Sequence, residues 1–274
     1  MIQDRIAARF RRMQEEDRTG LIVFLTVGCP DLDSTRQLVP ALAQSGADCI
    51  ELGVPFSDPL AEGPTIQASS YTALQNGVTL GDCVELVAEL RPKVPETPLV
   101  LMGYYNPILR YGLSTFAKDA SQAGVDGLIV VDLPPDEAHP LMEQCQPEGI
   151  HVISLLAPTS TDERIASACS VSSGFIYCVT LTGVTGARDA LSTRVFPLLE
   201  RVRRHTSLPL AVGFGISSRE HIDSLGKEAQ AAVVGSAMVD TVVRSPREKM
   251  VENASRFVEA LSGKAMNNGE AGPR

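Results

Sequence analysis

Short apolar runs alternate with longer amphipathic stretches along most of the chain. The runs are rich in Val, Ile and Leu, and they occupy residues 21–27, 48–54, 98–104, 127–132, 151–157, 174–180, 209–215 and 231–236. Runs without regular polar alternation are typical of strands that are covered on both faces. Since the stretches between them have the length and amphipathic character of helices, the pattern predicts eight parallel strands alternating with helices.

Several helix positions follow from finer features of the pattern. A helix is predicted over residues 2–16, where apolar residues recur at helical spacing (Ile2, Ile6, Phe10 and Met13). The long interval between the second and third strands has room for two helical pieces, at about 67–76 and 82–90. Capping-box patterns, in which Ser or Thr precedes Glu by three residues, predict helix starts at Ser160, Ser217 and Ser245.

Eight strand–helix units within 274 residues favour an α/β fold, the closed TIM (β/α)8 barrel, with an extra N-terminal helix. The alternative is an open doubly wound sheet, which would want a GxGxxG motif after its first strand. Gly28 is instead followed by Cys29 and Pro30, which weakens that alternative. We expect one barrel domain over residues 1–262 and a disordered polar tail at 263–274, where the residues are small and polar.

Composition excludes some classes of function. The net charge of −9 argues against a nucleic-acid or anionic-membrane surface. The six cysteines form no CxxC motif, and we interpret them as free thiols in a reducing compartment. The first residues contain an early acid and no long apolar segment, so we expect neither a signal peptide nor a membrane span, and a cytoplasmic location. The four histidines show no metal-ligand spacing.

The stretch from Glu51 to Gln67 contains the main candidate chemistry. Glu51 interrupts an apolar run where the second strand gives way to a loop rich in Gly, Pro, Ser and Asp, and Glu62 lies near the far end of that loop. Two carboxylates on one folded-back loop suit proton transfer. Alternatively, Glu51 forms an ion pair at the barrel end, Asp58 is a turn acid and Glu62 is solvated.

Glycines after the seventh and eighth strands predict a phosphate site. The segments 213–217 and 235–237 place Gly215, Gly235 and Ser236 where barrels often bind phosphate, and Gly186 on the preceding loop could add an amide. The alternative is that these glycines serve tight turns. The segment 182–188 is either a mobile cover or an ordinary loop. The residues alone thus predict a phosphate-handling barrel enzyme with carboxylate acid/base chemistry and without a metal or redox cofactor.

The motif ELGVPFSDPLAEGPTIQ, with FLTVGCP before it and LTGVTGAR and GFGIS after it, closely resembles the α subunit of tryptophan synthase. The order and spacing agree from about residue 15 to 262. This resemblance implies a TIM barrel lyase that cleaves indole-3-glycerol phosphate to indole and glyceraldehyde 3-phosphate. It also implies an α2β2 heterotetramer with a β subunit that holds pyridoxal phosphate and receives the indole, while the α subunit itself has no cofactor.

The resemblance also implies roles for individual residues. Glu51 is the general acid/base, and Glu62 and Tyr177 are further catalytic residues. The residues that bind phosphate are Gly186, Gly215, Gly235 and Ser236. Asp58 and Pro59 belong to the interface with the β subunit. The apolar indole pocket is formed by Phe24, Met102, Tyr104, Ile129, Leu155 and Phe214. Thr185 is expected to hold the Glu62 carboxylate when the loop after the sixth strand closes.

Glu62 departs from the family pattern, which usually has aspartate there to stabilise the indole N–H. Glutamate keeps the charge and adds one methylene. Because of this departure, a catalytically weak or silent subunit that only activates a β partner remains an alternative. Another is a different phosphate barrel of the same pathway, indole-glycerol-phosphate synthase or phosphoribosylanthranilate isomerase. That would require catalytic lysine or cysteine/aspartate motifs, and the second strand offers Glu51 without a neighbouring lysine.

Overall fold

The computed structural model describes residues 4–179, 190–213 and 215–263. Within them, nine short strands form one parallel sheet in the order β5-β4-β3-β2-β1-β9-β8-β7-β6. The strands are β1 (Gly20–Thr26), β2 (Cys49–Gly53), β3 (Leu99–Gly103), β4 (Gly127–Val130), β5 (His151–Ile153), β6 (Leu155–Leu156), β7 (Ile176–Val179), β8 (Leu210–Gly213) and β9 (Ala231–Val234). Each one lies within a run predicted from the sequence, or begins one residue before it.

The two ends of this sheet meet, so that the sheet is a closed barrel. β5 and β6 stand at opposite ends of the strand order, yet only Ser154 separates them along the chain. The Ser154 carbonyl accepts a hydrogen bond from the Tyr177 amide at 3.0 Å. β5 and β6 are therefore two halves of the fifth barrel strand. The predicted (β/α)8 barrel is confirmed, and the open-sheet alternative is wrong.

Helices surround the barrel and connect its strands. They are α1 (Arg5–Glu15), α2 (Leu32–Ser45), α3 (Pro64–Gln75), α4 (Leu80–Leu90), α5 (Tyr105–Tyr111), α6 (Leu113–Ala123), α7 (His139–Cys145), α8 (Asp162–Val171), α9 (Ala190–Arg203), α10 (Arg219–Ser224), α11 (Ser236–Arg244) and α12 (Met250–Ser262). Short 3-10 turns lie at Arg91–Lys93, Pro135–Glu137 and Arg247–Lys249. The two helices predicted between β2 and β3 are present, and both begin earlier than predicted.

The three predicted capping boxes are wrong in position. Thr161, not Ser160, caps α8 and accepts a hydrogen bond from the Arg164 amide at 3.2 Å. The Ser160 hydroxyl instead accepts from the Ala157 amide in the turn before the helix. The cap of α10 is Ser218, and a 3-10 turn follows Pro246. Where candidate caps are adjacent, the spacing to Glu does not select between them.

The N-terminal helix closes the bottom of the barrel. Its residues Ile6, Phe10 and Met13 are buried and join the cluster of side chains that fills the barrel interior. The rings of Phe10 and Phe175 lie 5.6 Å apart between centroids. Gly20 makes room for this helix, because a Cβ there would overlap the Met13 side chain. α1 thus covers the end of the barrel opposite the active-site loops of this fold class.

Two buried aspartates fasten α1 and neighbouring segments to the strand starts. Asp48 precedes β2, accepts from the Leu21 amide at 2.9 Å and forms a bidentate pair with Arg18 at 2.6 and 2.8 Å. Asp126 precedes β4, accepts from the Leu99 amide at 2.8 Å, and pairs with two arginines, Arg91 at 2.7 Å and Arg5 at 3.0 Å.

We predict that Asp126→Ala destabilises the fold by about 3–5 kcal/mol, because it leaves a buried amide and two arginines without their acceptor. Equilibrium urea unfolding of the full chain measures the loss. The matched control is Glu252→Ala, which removes an exposed helical pair with Arg256 and should cost less than ~0.5 kcal/mol. Equal losses in the two variants would contradict the structural role of Asp126.

Candidate active site

Glu51 lies inside the barrel near its C-terminal end. The sequence placed it at the end of a strand, but β2 continues through Leu52 and Gly53, which pair with Leu101 and Met102 of β3. Because side chains alternate along a strand, Glu51 points to the same side as Cys49, a member of the interior cluster. Its carboxylate therefore stands within the barrel rather than on the loop.

The Glu51 carboxylate is buried and unpaired. The residue is 1% exposed, and neither carboxylate oxygen has a hydrogen-bond partner among the described residues. Burial raises the pKa of Glu51 from 4.5 to about 8, and the charge of Glu62 adds to the rise. Ionising a carboxyl group away from water is unfavourable unless it is compensated. Glu51 therefore holds its proton at neutral pH, which excludes the ion-pair alternative within the described residues.

Glu62 lies at the end of the loop between β2 and α3. It is partly exposed, and burial raises its pKa to about 7. It lines a small pocket at the barrel mouth together with Phe24, Met102 and Tyr104. The solvated-acid alternative for Glu62 therefore does not fit the structure, which places two perturbed carboxyl groups close enough to influence each other.

The predicted indole-pocket residues divide into two groups. Phe24, Met102 and Tyr104 line the pocket beside Glu62. Ile129 is fully buried, and Leu155 is partly buried against the interior cluster; neither lines the pocket. The pocket also includes Thr26 and Ser70, which the sequence analysis missed. Adjacent serines in the middle of a helix, Ser69 and Ser70, were the available signal, because serine is a mediocre helix former.

Tyr177 of β7 projects into the interior near the two carboxyl groups. Burial raises the pKa of Tyr177 well above its usual value, and the charges of Glu51 and Glu62 raise it further. A side chain at Gly213 would overlap the Tyr177 hydroxyl and ring. The glycine on the neighbouring strand thus makes the space in which this tyrosine stands among the candidate catalytic groups.

The predicted phosphate residues follow two neighbouring strands. Gly215 follows β8, and Gly235 and Ser236 follow β9, which pairs with β8. Gly215 has a φ of +77°, a conformation that glycine adopts readily. Ser236 is the first residue of α11, where helix amides lack acceptors within the helix. A Cβ at Gly235 would make ordinary van der Waals contacts with Ile66 at 3.8 Å and Phe24 at 3.9 Å, so this glycine adjoins the residues beside the pocket.

Three of the predicted site residues lie outside the described residues: Thr185, Gly186 and Phe214. The predicted loop 182–188 lies outside them as well, as does the predicted tail 263–274 except for Gly263, which is the C-cap of α12. The two predicted interface residues are described. Asp58 is exposed and Pro59 partly so, and they lie in the β2–α3 loop beside Leu60, which is 89% exposed.

Among residues 4–179, 190–213 and 215–263, no group of His, Cys, Asp and Glu could hold a metal ion. In the same part of the chain, no helix is both long and apolar enough to cross a membrane.

These features define a TIM-barrel protein with two carboxyl groups of raised pKa at its C-terminal mouth. The family model for the tryptophan synthase alpha chain matches residues 10–268. The chain is 51% identical to the tryptophan synthase alpha chain of Roseiflexus castenholzii over 259 residues, which cover 94% of this chain and 99% of that one. It is 45% identical to that of Caulobacter vibrioides, over 95% and 97% of the two chains.

Solved structures of tryptophan synthases also match this chain. Mycobacterium tuberculosis tryptophan synthase matches with a TM-score of 0.86 and 35% identity, over 95% of this chain and 97% of that one. The tryptophan synthase a2b2 complex of Pyrococcus furiosus contains a chain that matches with a TM-score of 0.84 and 45% identity, over 90% and 99%. The chain belongs to the tryptophan synthase alpha chain family, and the predicted family is confirmed.

We predict that Glu51→Gln changes how stability depends on pH. Between pH 4.5 and about 8 the folded protein holds a proton that the unfolded chain has lost, so wild-type stability falls as pH rises through this window. Glutamine does not titrate, so the variant should gain on the order of 4 kcal/mol relative to wild type between pH 5 and 9.

Urea unfolding at several pH values measures this difference. Glu252→Gln, which neutralises an exposed carboxylate in α12, controls for the change in net charge. Parallel stability curves for wild type and Glu51→Gln would mean that Glu51 is ionised in the fold without penalty.

We predict that Ser236→Asp weakens binding of inorganic phosphate by at least about tenfold, because it adds a like charge at the first residue of α11. The fold should persist, since an acid near a helix N-terminus is favourable. Isothermal titration with phosphate and a melting curve measure the two effects. Ser236→Ala removes only the hydroxyl and should weaken binding less. Unchanged phosphate affinity in Ser236→Asp would place the anion elsewhere.

Proposed function

We propose that this chain is the α subunit of a tryptophan synthase and cleaves indole-3-glycerol phosphate to indole and D-glyceraldehyde 3-phosphate, with Glu51 as the general acid/base. The observation that carries the proposal is the buried carboxyl group of Glu51, which has no hydrogen-bond partner in the described part of the chain and whose pKa is raised to about 8. Such a group is a proton donor at neutral pH and can become a base in the next step.

The reaction needs two proton transfers, and one carboxyl group can perform both. Neutral Glu51 donates its proton to C3 of the indole ring. The resulting carboxylate then removes the proton of the glycerol hydroxyl, and the carbon–carbon bond breaks as the aldehyde forms. Glu51 ends protonated, as it began, so the cycle needs no external acid or base. Because the pKa of Glu51 is close to the working pH, both giving up the proton and taking it back cost little free energy.

Glu62 stabilises the indole N–H, which becomes more acidic as C3 is protonated. Its pKa of about 7 lies below that of Glu51, so it is the first of the pair to ionise. Because the two groups interact, their titrations belong to the pair. A negative charge near the N–H favours the transition state over the ground state. Phe24, Met102 and Tyr104 supply apolar surface for the ring beside this carboxylate.

The phosphate of the substrate binds at the loops after β8 and β9. The amides at Gly235 and Ser236 and the positive end of the α11 dipole favour an anion there. Gly215 and Gly186 are the further predicted contacts. Tyr177, whose pKa is raised by burial and by the neighbouring Glu51 and Glu62, is the third proposed catalytic residue.

The chain works with a β subunit in an α2β2 heterotetramer. Support comes from a Pyrococcus furiosus homologue described as part of an a2b2 complex. The proposed contact surface is the exposed part of the β2–α3 loop, with Asp58 and Pro59, to which the 89% exposed Leu60 is added. Indole passes to the β subunit, which holds the pyridoxal phosphate. The α subunit carries out its own step without a cofactor.

The proposal predicts the rates of three variants in a steady-state assay of indole release, with and without a tryptophan synthase β subunit. Glu51→Gln should lose a factor of ~10²–10⁴, as expected for a general acid/base. Glu62→Ala should lose at least ~10²-fold, or ~2.7 kcal/mol. Glu62→Asp should retain or raise activity, because it restores the residue that is usual in the family.

Each outcome bears on a different part of the proposal. Retention of more than a tenth of the wild-type rate by Glu51→Gln would remove its assignment as acid/base. Full activity of Glu62→Ala would show that Glu62 has no role in catalysis. If wild type releases no indole even with the β subunit, the chain is a silent subunit that only binds and activates its partner.

A further inference from the structure

The loop that carries Glu62 is tied to the barrel by its backbone. At its start, the Ser70 hydroxyl accepts from the Phe56 amide at 2.9 Å and donates to the Phe56 carbonyl at 3.0 Å. Near its end, the Ala61 amide donates to the Tyr104 hydroxyl at 3.1 Å. The ring of Tyr104 also stacks on Phe56, with 4.6 Å between centroids. The loop is therefore held at defined points despite its exposed middle.

Glu62 depends on these backbone ties for its position. Within the described part of the chain its carboxylate makes no hydrogen bond, so the side chain is placed by the peptide groups around it. The Glu62 amide donates to the Pro59 carbonyl at 3.1 Å, which forms a turn. The Glu62 carbonyl accepts from the side-chain amide nitrogen of Gln67 at 2.9 Å, and the same nitrogen lies 3.5 Å from the Pro59 carbonyl oxygen.

Gln67 holds this turn from a rigid element. It belongs to the first turn of α3, where its own amide donates to the Gly63 carbonyl at 3.0 Å. α3 is fastened to β1 by a buried hydrogen bond of 2.6 Å between Ser69 and Thr26. The Gln67 side chain donates to the loop and does not cap the helix, since α3 begins at Pro64 without a side-chain cap. Its hydrogen bond thus serves the loop rather than the helix.

We propose that Gln67 is a positioning residue, which holds the Glu62 turn so that the carboxylate faces the pocket. The inference rests on the proposed function of Glu62 in cleavage. A single hydrogen bond can shift the population of a loop conformation only by its own free energy. Its loss therefore has a limited effect on folding but a measurable one on a carboxylate that must be correctly placed.

The test compares kcat for indole release in the full chain with saturating β subunit. Gln67→Met keeps the side-chain length and helix propensity but removes the donor, and it should lower kcat about fivefold, or about 1 kcal/mol. KM should stay unchanged, because the exposed Gln67 side chain bonds to the loop carbonyls and not to the residues proposed to bind phosphate. Gln67→Lys, which keeps a donor of similar reach, should restore most of the rate. Gln75→Met, at the exposed end of the same helix, is the matched control and should match wild type.

A double-mutant cycle decides whether Gln67 acts through Glu62. If it does, Gln67→Met should cost nothing further in the Glu62→Ala background. A full fivefold loss in that background, a loss equal to that of Gln75→Met, or a change confined to KM would overturn the inference. These outcomes are distinct from failure of the proposed function, in which wild type itself releases no indole or Glu62→Ala is as active as wild type.

Discussion

The structure is constrained by one unfavourable feature, the burial of the Glu51 carboxyl group without a hydrogen-bond partner among residues 4–179, 190–213 and 215–263. Ionising the buried Glu51 carboxyl group costs desolvation free energy, and an apolar residue at this position would not have that cost. The cross-strand neighbours are Phe24 and Val100, neither of which can share its proton. This environment keeps Glu51 neutral at a pH at which an exposed glutamate is ionised, and it converts a carboxylate into an acid. Other contacts of the barrel must offset the free energy of unfolding that is lost by burying this group.

At the opposite end of the barrel, the buried carboxylates have hydrogen-bond and ion-pair partners. Asp48 and Asp126 are buried like Glu51, yet each accepts a hydrogen bond from a backbone amide and pairs with arginine side chains. These contacts bind the N-terminal helix and the strand starts into one unit. The same type of functional group therefore stabilises the bottom of the barrel and remains reactive at its mouth. This division agrees with the general placement of stability and chemistry at opposite ends of such barrels.

The sequence predicted the strands well because they are continuous apolar runs, which is a local property. It predicted less where the outcome depends on distant residues. The position of Asp126 directly before a strand can be read from the sequence. Its partners Arg5 and Arg91, however, lie 121 and 35 residues away, and no spacing rule connects them to it. Helix starts were misplaced where two hydroxyl residues adjoin, as at Ser160 and Thr161. Glu51 was recognised as a candidate from the sequence, whereas its burial could be seen only with the surrounding side chains in place.

The loop after β2 shows why a glutamate can stand at position 62. Tyr104 and Gln67 fix the backbone on either side of this residue, so the reach of its carboxylate is set by the length of the side chain and not by free movement of the loop. The carboxylate comes close enough to raise the pKa of Glu51. The longer side chain therefore delivers its charge to the barrel mouth from this backbone position. An aspartate at the same position would keep the charge, and a small shift of the turn toward the barrel axis would offset its shorter side chain.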